Sequence, residues 1–181
     1  MQRDRGDGGS TEAGLVTAGR RRYPAWAAPA TLVLTSLGLL DAAYLSFEHL
    51  TGSTSLACSE TGTIDCLSVT TSRWSELFGI PVAYLGLGFF AVMVVACLPW
   101  FWLHGPRVIA GLRIAAAAGG LIMVFYLLWA EFFKIGAICL WCTGVHVLTF
   151  ATLIALVFAQ ILSEPVDADP GDAAPEDDTS D

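Results

Sequence analysis

What this chain of 181 residues lacks is charge. Only 14% of its residues are Asp, Glu, Lys or Arg, against 55% hydrophobic, and the mean hydropathy is +0.62. That balance excludes an ordinary soluble domain and points to the membrane class. Basic clusters are also missing along the apolar part, so nucleic acid is not an expected partner. The net charge of −8 is a property of one end: Glu164–Asp181 holds eight acidic residues and no basic one, and the remainder balances. No clean Ala-x-Ala exit follows the first apolar run, which therefore reads as an uncleaved span rather than a signal peptide. A haem attachment motif is absent too, because Thr143 rather than His follows Cys142.

Apolar runs of bilayer length are present in number. They extend from about Trp26 to Phe47, Val82 to Leu103, Val108 to Ala130 and Ile135 to Leu162. Each approaches the ~20 residues that a hydrocarbon core of about 30 Å requires. The expected fold is an all-α membrane protein, a four-transmembrane-helix bundle around an external loop that carries a short interfacial helix. Gly86, Gly88 and the Ala115–Gly120 stretch supply small residues for close helix approach. Residues 1–22 read as a disordered cytoplasmic tail, 23–162 as the membrane domain with its loop at about 50–81, and 163–181 as an acidic disordered tail. Arg3, Arg5, Arg20, Arg21, Arg22, Arg107 and Arg113 fall on one side of these spans, and only Arg73 and Lys134 on the other. The positive-inside rule then predicts a multi-pass cell-membrane protein with both termini cytoplasmic and the 51–80 loop outside.

Four of the five cysteines form two pairs, Cys58 with Cys66 and Cys139 with Cys142; Cys97 stands alone and reads as a small buried hydrophobe. The orientation puts both pairs at the extracytoplasmic end, at similar depth, where thiols can be oxidised. In Cys139-Leu140-Trp141-Cys142 the spacing holds two sulfurs close enough to make and break one disulfide. On a helix, Cys139, Cys142 and His146 share a face. Residues 67–80 mix Leu67, Val69, Trp74, Leu77, Phe78 and Ile80 with polar neighbours, as an interfacial helix over the bundle mouth does. Two dithiols in a membrane make an electron relay. An external dithiol reduces the loop disulfide, one loop thiolate attacks the Cys139–Cys142 disulfide through a mixed disulfide, and an apolar two-electron acceptor completes the path. A lipid-soluble quinone fits that role.

Two rival readings use the same residues. Four thiolates suit zinc, but seven residues between Cys58 and Cys66 is loose for a zinc knuckle and the compartment is oxidising, so no metal site is expected. A transporter or scaffold needs no paired cysteines, and neither an internal repeat nor a charged pathway is present.

The cysteines, Ser72-Arg73-Trp74, Gly79-Ile80-Pro81-Val82-Ala83-Tyr84-Leu85-Gly86 and Cys139-Leu140-Trp141-Cys142 together resemble the vitamin K epoxide reductase family over about residues 26–162. The resemblance implies a quinone-linked thiol oxidoreductase of the bacterial kind, without a fused thioredoxin-like domain, that supports disulfide formation in exported proteins. It implies that Cys58 meets a separate DsbA-like thioredoxin-fold partner, that Cys66 attacks Cys139, and that Cys142 lies next to the quinone, menaquinone or ubiquinone. Ser72 matches the family's loop serine near the quinone pocket. His146 stands where animal members carry a quinone-contacting tyrosine, and the expected reaction is quinone rather than epoxide reduction.

Overall fold

The computed structural model describes residues 21–51 and 62–165, and within them the chain is a helical bundle capped at one end by a loop. A two-residue strand β1 (Arg21–Arg22) leads into α1 (Ala27–Thr51). The cap follows: a short helix α2 (Cys66–Thr70), a 3-10 turn at Arg73–Ser75, and the strands β2 (Glu76–Leu77) and β3 (Ile80–Pro81). Then come α3 (Val82–Ala96), α4 (Pro99–His104), α5 (Arg107–Ala130) with a π-helical turn at Glu131–Ile135, α6 (Leu140–Ile161) and β4 (Glu164–Pro165). Helix α1 packs against α3 and α6, and α5 against α6.

Three of these helices are long and apolar enough to cross a membrane: Ala27–Thr51, Val108–Ile135 with its π turn, and Leu140–Ile161. The unbroken second span expected over 82–103 is corrected by the structure. Helix α3 has 15 residues, or about 22 Å at 1.5 Å per residue, and stops at Ala96. Pro99 lacks an N–H and cannot continue the ladder, so it starts the separate helix α4 instead. Arg113 bridges the break: its Nε donates to the Ala96 carbonyl at 2.8 Å, and its guanidinium lies 4.2 Å from the centre of the Trp102 ring. At the same end β1 pairs antiparallel with β4, Arg22 opposite Glu164, so the two ends of the bundle meet there.

The contact face of α1 is built from small side chains. Ala27, Thr31, Thr35, Gly38, Ala42 and Ser46 are buried at steps of three or four residues, which is one stripe of a helix. Their hydroxyls need no outside partner: Thr31 donates to the Ala27 carbonyl at 2.7 Å, Thr35 to Thr31 at 2.8 Å and Ser46 to Ala42 at 2.7 Å. Without water that internal satisfaction is what makes a hydroxyl affordable in a span. Gly38 is required, because a Cβ there would enter the ring of Phe90 on α3.

The cap is also not the single interfacial helix expected over 67–80. Its helical part is limited to Cys66–Thr70, N-capped by Asp65, whose Oδ1 accepts the Ser68 N–H at 2.9 Å and whose Oδ2 accepts the Ser68 hydroxyl at 2.5 Å. These bonds hold the Asp65 carboxyl below the usual carboxylate range. Beyond it, Ser75 donates to Ser72 O at 2.6 Å and tightens the 3-10 turn, and β2 and β3 close through Phe78 and Gly79. Both turn residues have positive φ, 53° and 79°, as a two-residue primed hairpin demands.

Candidate functional site

The cap is stitched to the start of α6 by backbone bonds. Ile138 donates its N–H to the Thr63 carbonyl at 2.9 Å, and Asp65 donates to the Ile138 carbonyl at 3.2 Å, so Ile64 and Ile138 form a parallel bridge. One residue beyond each partner of that bridge the chain reaches Asp65 on one side and Cys139 on the other. The register therefore carries Cys66 to Cys139. Both are fully buried and share one apolar cluster with Val69 and Ala137, edged by Ile135, Trp141 and Cys142. Cys66 is disulfide-bonded, while Cys97, Cys139 and Cys142 are free thiols. Cys58, the expected partner of Cys66, lies outside the described residues.

Cys139 does not share the inward face with Cys142 and His146 as an α-helical spacing predicts. It is the N-cap of α6, with the extended backbone φ −99°, ψ 120°, and so leaves the helical path. Its sulfur turns back to accept the Cys142 N–H at 3.2 Å. A helix N-terminus that donates to sulfur favours the thiolate over the thiol. The two cysteines stay side by side, and the pair reaches two neighbourhoods: Cys139 packs with Cys66, and Cys142 also borders a cavity.

That cavity has a volume of about 290 Å³ and lies between the cap, α1, α3, α5 and α6. Apolar groups such as Phe89, Phe90, Val124 and Leu127 make most of its wall. Cys142 and His146 line it from α6, and Ser72 and Trp74 from the cap. Ser72 donates its hydroxyl to the Val69 carbonyl at 2.9 Å, which also pins the turn that follows α2. The cap is held down at its rim by aromatic packing: Trp74 stands edge-on to Trp129 at 5.6 Å, and the Lys134 ammonium lies 5.0 Å from the Trp129 ring and 5.7 Å from that of Trp74. Lys134 thus acts as a cation–π tie between cap and bundle.

Two polar side chains in the wall have atoms with no hydrogen-bond partner. His146 is 5% exposed and neither ring nitrogen is bonded; Glu131 is 3% exposed and its Oε2 is unpaired. Glu131 is the residue that the sequence pattern did not single out, although an acid set among Phe132, Phe133 and the run to Cys139 is unusual in a span and marks a functional candidate. Asp41, on α1, approaches the backbone of α6 at Gly144, where a Cβ would come 2.6 Å from its Oδ2. An apolar cavity with few convergent polar groups is the form of a small-molecule site.

A profile of the vitamin K epoxide reductase family matches residues 29–157, from the first turn of α1 almost to the end of α6. The chain belongs to that family. Membership makes it a membrane thiol oxidoreductase, of a family generally linked to quinones, and the match takes in the cap, Cys139, Cys142 and the whole cavity wall. Among the described residues no three of His, Cys, Asp and Glu are grouped as a metal ion would need.

Proposed function

We propose that this family member passes electrons from an extracytoplasmic DsbA-type dithiol through Cys58 and Cys66 to Cys139 and Cys142, and from there to a membrane quinone. The physiological outcome is disulfide formation in exported proteins. The observation that carries the reading is the divided geometry of the Cys-x-x-Cys pair. Cys139 packs with the disulfide-bonded Cys66, and Cys142 borders the apolar cavity. A relay needs one sulfur on each side of that division.

The steps assigned to the chain follow from its groups. A reduced partner opens the Cys58–Cys66 disulfide by exchange at Cys58. The Cys66 thiolate then attacks Cys139 of the Cys139–Cys142 disulfide and leaves Cys142 as the free thiol that faces the cavity. The Cys142 N–H, aimed at the Cys139 sulfur, stabilises charge on it as the mixed disulfide forms and resolves. Ser72 and His146 are the groups assigned to holding the quinone, His146 as a donor to one carbonyl oxygen. The quinone, menaquinone or ubiquinone, supplies the capacity to accept two electrons and two protons. The Trp74–Lys134–Trp129 tie keeps the cap closed and water out while thiols exchange.

For the topology we infer four spans with both termini cytoplasmic. Helix α3 with α4 makes the second crossing, and the β1–β4 pair, which joins the two ends of the bundle, supports an even number of crossings.

Quinone reduction by the purified protein in detergent, driven by a reduced DsbA-type protein, tests the reading. Cys139→Ser and Cys142→Ser should each reduce turnover to background, while the Cys142→Ser protein should still have its loop disulfide opened by the partner. Normal turnover in either variant would overturn the relay.

A further inference from the structure

Oxidation of the Cys139–Cys142 dithiol releases two protons as well as two electrons, and the cavity that Cys142 borders is walled mainly by apolar groups. The protons need a route inside the wall. We propose that Glu131 is the catalytic proton carrier of this site: its carboxylate takes the proton that leaves the Cys142 thiol and its carboxyl delivers it into the cavity. The step balances: two thiols become one disulfide, the quinone-class acceptor gains two electrons and two protons, and Glu131 ends as it began. This inference rests on the proposed function above.

Three observations converge on Glu131. First, its place on the helix turns it inward: Gly120, Met123, Val124, Leu127 and Glu131 line the cavity at steps of three or four residues, and a π turn begins at Glu131 itself. The chain passes from α-helix to a π turn at Glu131–Ile135, where the Gly136 N–H reaches back to the Glu131 carbonyl at 2.8 Å, and Gly136 takes the left-handed φ of 72° that ends the turn. A π turn inserted in an α-helix is frequent at functional sites. Here Phe132 and Phe133 are 60% and 76% exposed on the outside, and Glu131 is 3% exposed on the cavity side. Second, the carboxyl has a free oxygen: its Oε2 has no partner among the described residues, and the nearest basic residue in sequence, Lys134, lies over the Trp129 and Trp74 rings. A buried polar atom left unpaired costs stability and calls for another reason to be kept. Third, it lines the same cavity as Cys142.

Other titratable groups face this region. His146 on α6 and His49 on α1 line the cavity, Cys139 lies behind Cys142, and Asp41 approaches α6 from α1 at Gly144. His146 presents both ring nitrogens unbonded, which suits an orienting donor. Glu131 differs in being the acid that lines the same cavity as Cys142.

Glu131→Gln keeps size and hydrogen bonding and removes the exchangeable proton. With the purified full chain, reduced partner and a soluble ubiquinone analogue, we expect turnover to fall about 100-fold and the acid–base limb of its pH–rate profile to vanish, with Glu131→Asp recovering part of the rate and the limb. A second readout needs neither quinone nor turnover. With no acceptor present the proton that leaves Cys142 stays on Glu131, so the infrared difference between the dithiol and disulfide forms of the wild-type protein should contain a carboxyl C=O band that is missing in Glu131→Gln. Wild-type turnover or an unchanged pH–rate profile in Glu131→Gln would overturn the proposal. So would a wild-type infrared difference without a carboxyl band, a result that does not depend on how the variant folds. A wild-type protein that reduces no quinone would instead remove the reading on which the proposal rests.

Discussion

The bundle buries cysteines at both of its ends, and they are buried differently. At the end closed by β1 and β4, Cys97 is fully enclosed with Ala27, Met93, Trp102, Ala117 and Leu156, and Tyr23 packs on Trp102 at 4.9 Å. Arg113 there is tied to both neighbouring helices: its Nε bonds the Ala96 carbonyl and its guanidinium stacks on Trp102, with Nη2 left unpaired. At the capped end, Cys139 packs with the disulfide-bonded Cys66, Cys142 borders the cavity, and Glu131 and His146, which line it, each have a polar atom without a partner among the described residues. Burial alone says little about a cysteine. A sulfur packed among hydrocarbon is a hydrophobe, and one set between a disulfide and a cavity with unpaired polar atoms is placed for chemistry.

The contrast can be broken first at His146. Replacing it with Leu removes the only imidazole that α6 offers the cavity. The KM for a soluble quinone should rise about tenfold, equivalent to about 1.4 kcal/mol of lost binding, while reduction of the loop disulfide by a DsbA-type partner stays at the wild-type rate. An unchanged KM would return His146 to a packing role. At the other end, Cys97→Ala should leave turnover as it is and lower stability by roughly 1 kcal/mol, the order expected for removing about one methylene's worth of buried apolar surface. Thermal unfolding in detergent beside a turnover assay checks both halves, and a loss of turnover at full stability would put Cys97 among the working thiols. The smallest effect concerns the cap. Because hydrogen bonds lower the Asp65 carboxyl in the folded chain, its contribution is present above the unfolded carboxylate range and is lost as pH falls through the lower folded value. Acidification should therefore loosen α2, read as a smaller amide-exchange protection factor at Ser68, and Asp65→Asn should make that protection factor nearly independent of pH.

The sequence makes the cysteine pairing and the long apolar runs readable, because both are patterns of single residue types at fixed spacing. Ser72 and His146, expected at the quinone pocket, do line the cavity. What a linear pattern does not reveal is where a helix departs from its own geometry. Hydropathy carries the second run smoothly through Pro99, yet a missing N–H ends the helix there. Counting residues puts Cys139 on one face with Cys142, yet as an N-cap Cys139 leaves that face. Each departure lies at a helix end or junction, where backbone hydrogen bonds have to be found outside the regular ladder.

The bridge between Ile64 and Ile138 has a kinetic meaning. Two backbone hydrogen bonds fix the residue before Cys66 next to the residue before Cys139. In the relay proposed above, exchange between the two sulfurs would be a unimolecular event with a high effective molarity, its entropy already spent when the cap folds. Its rate is a property of the folded chain and should not change with the concentration of the redox partner, which governs only how often the loop disulfide is opened.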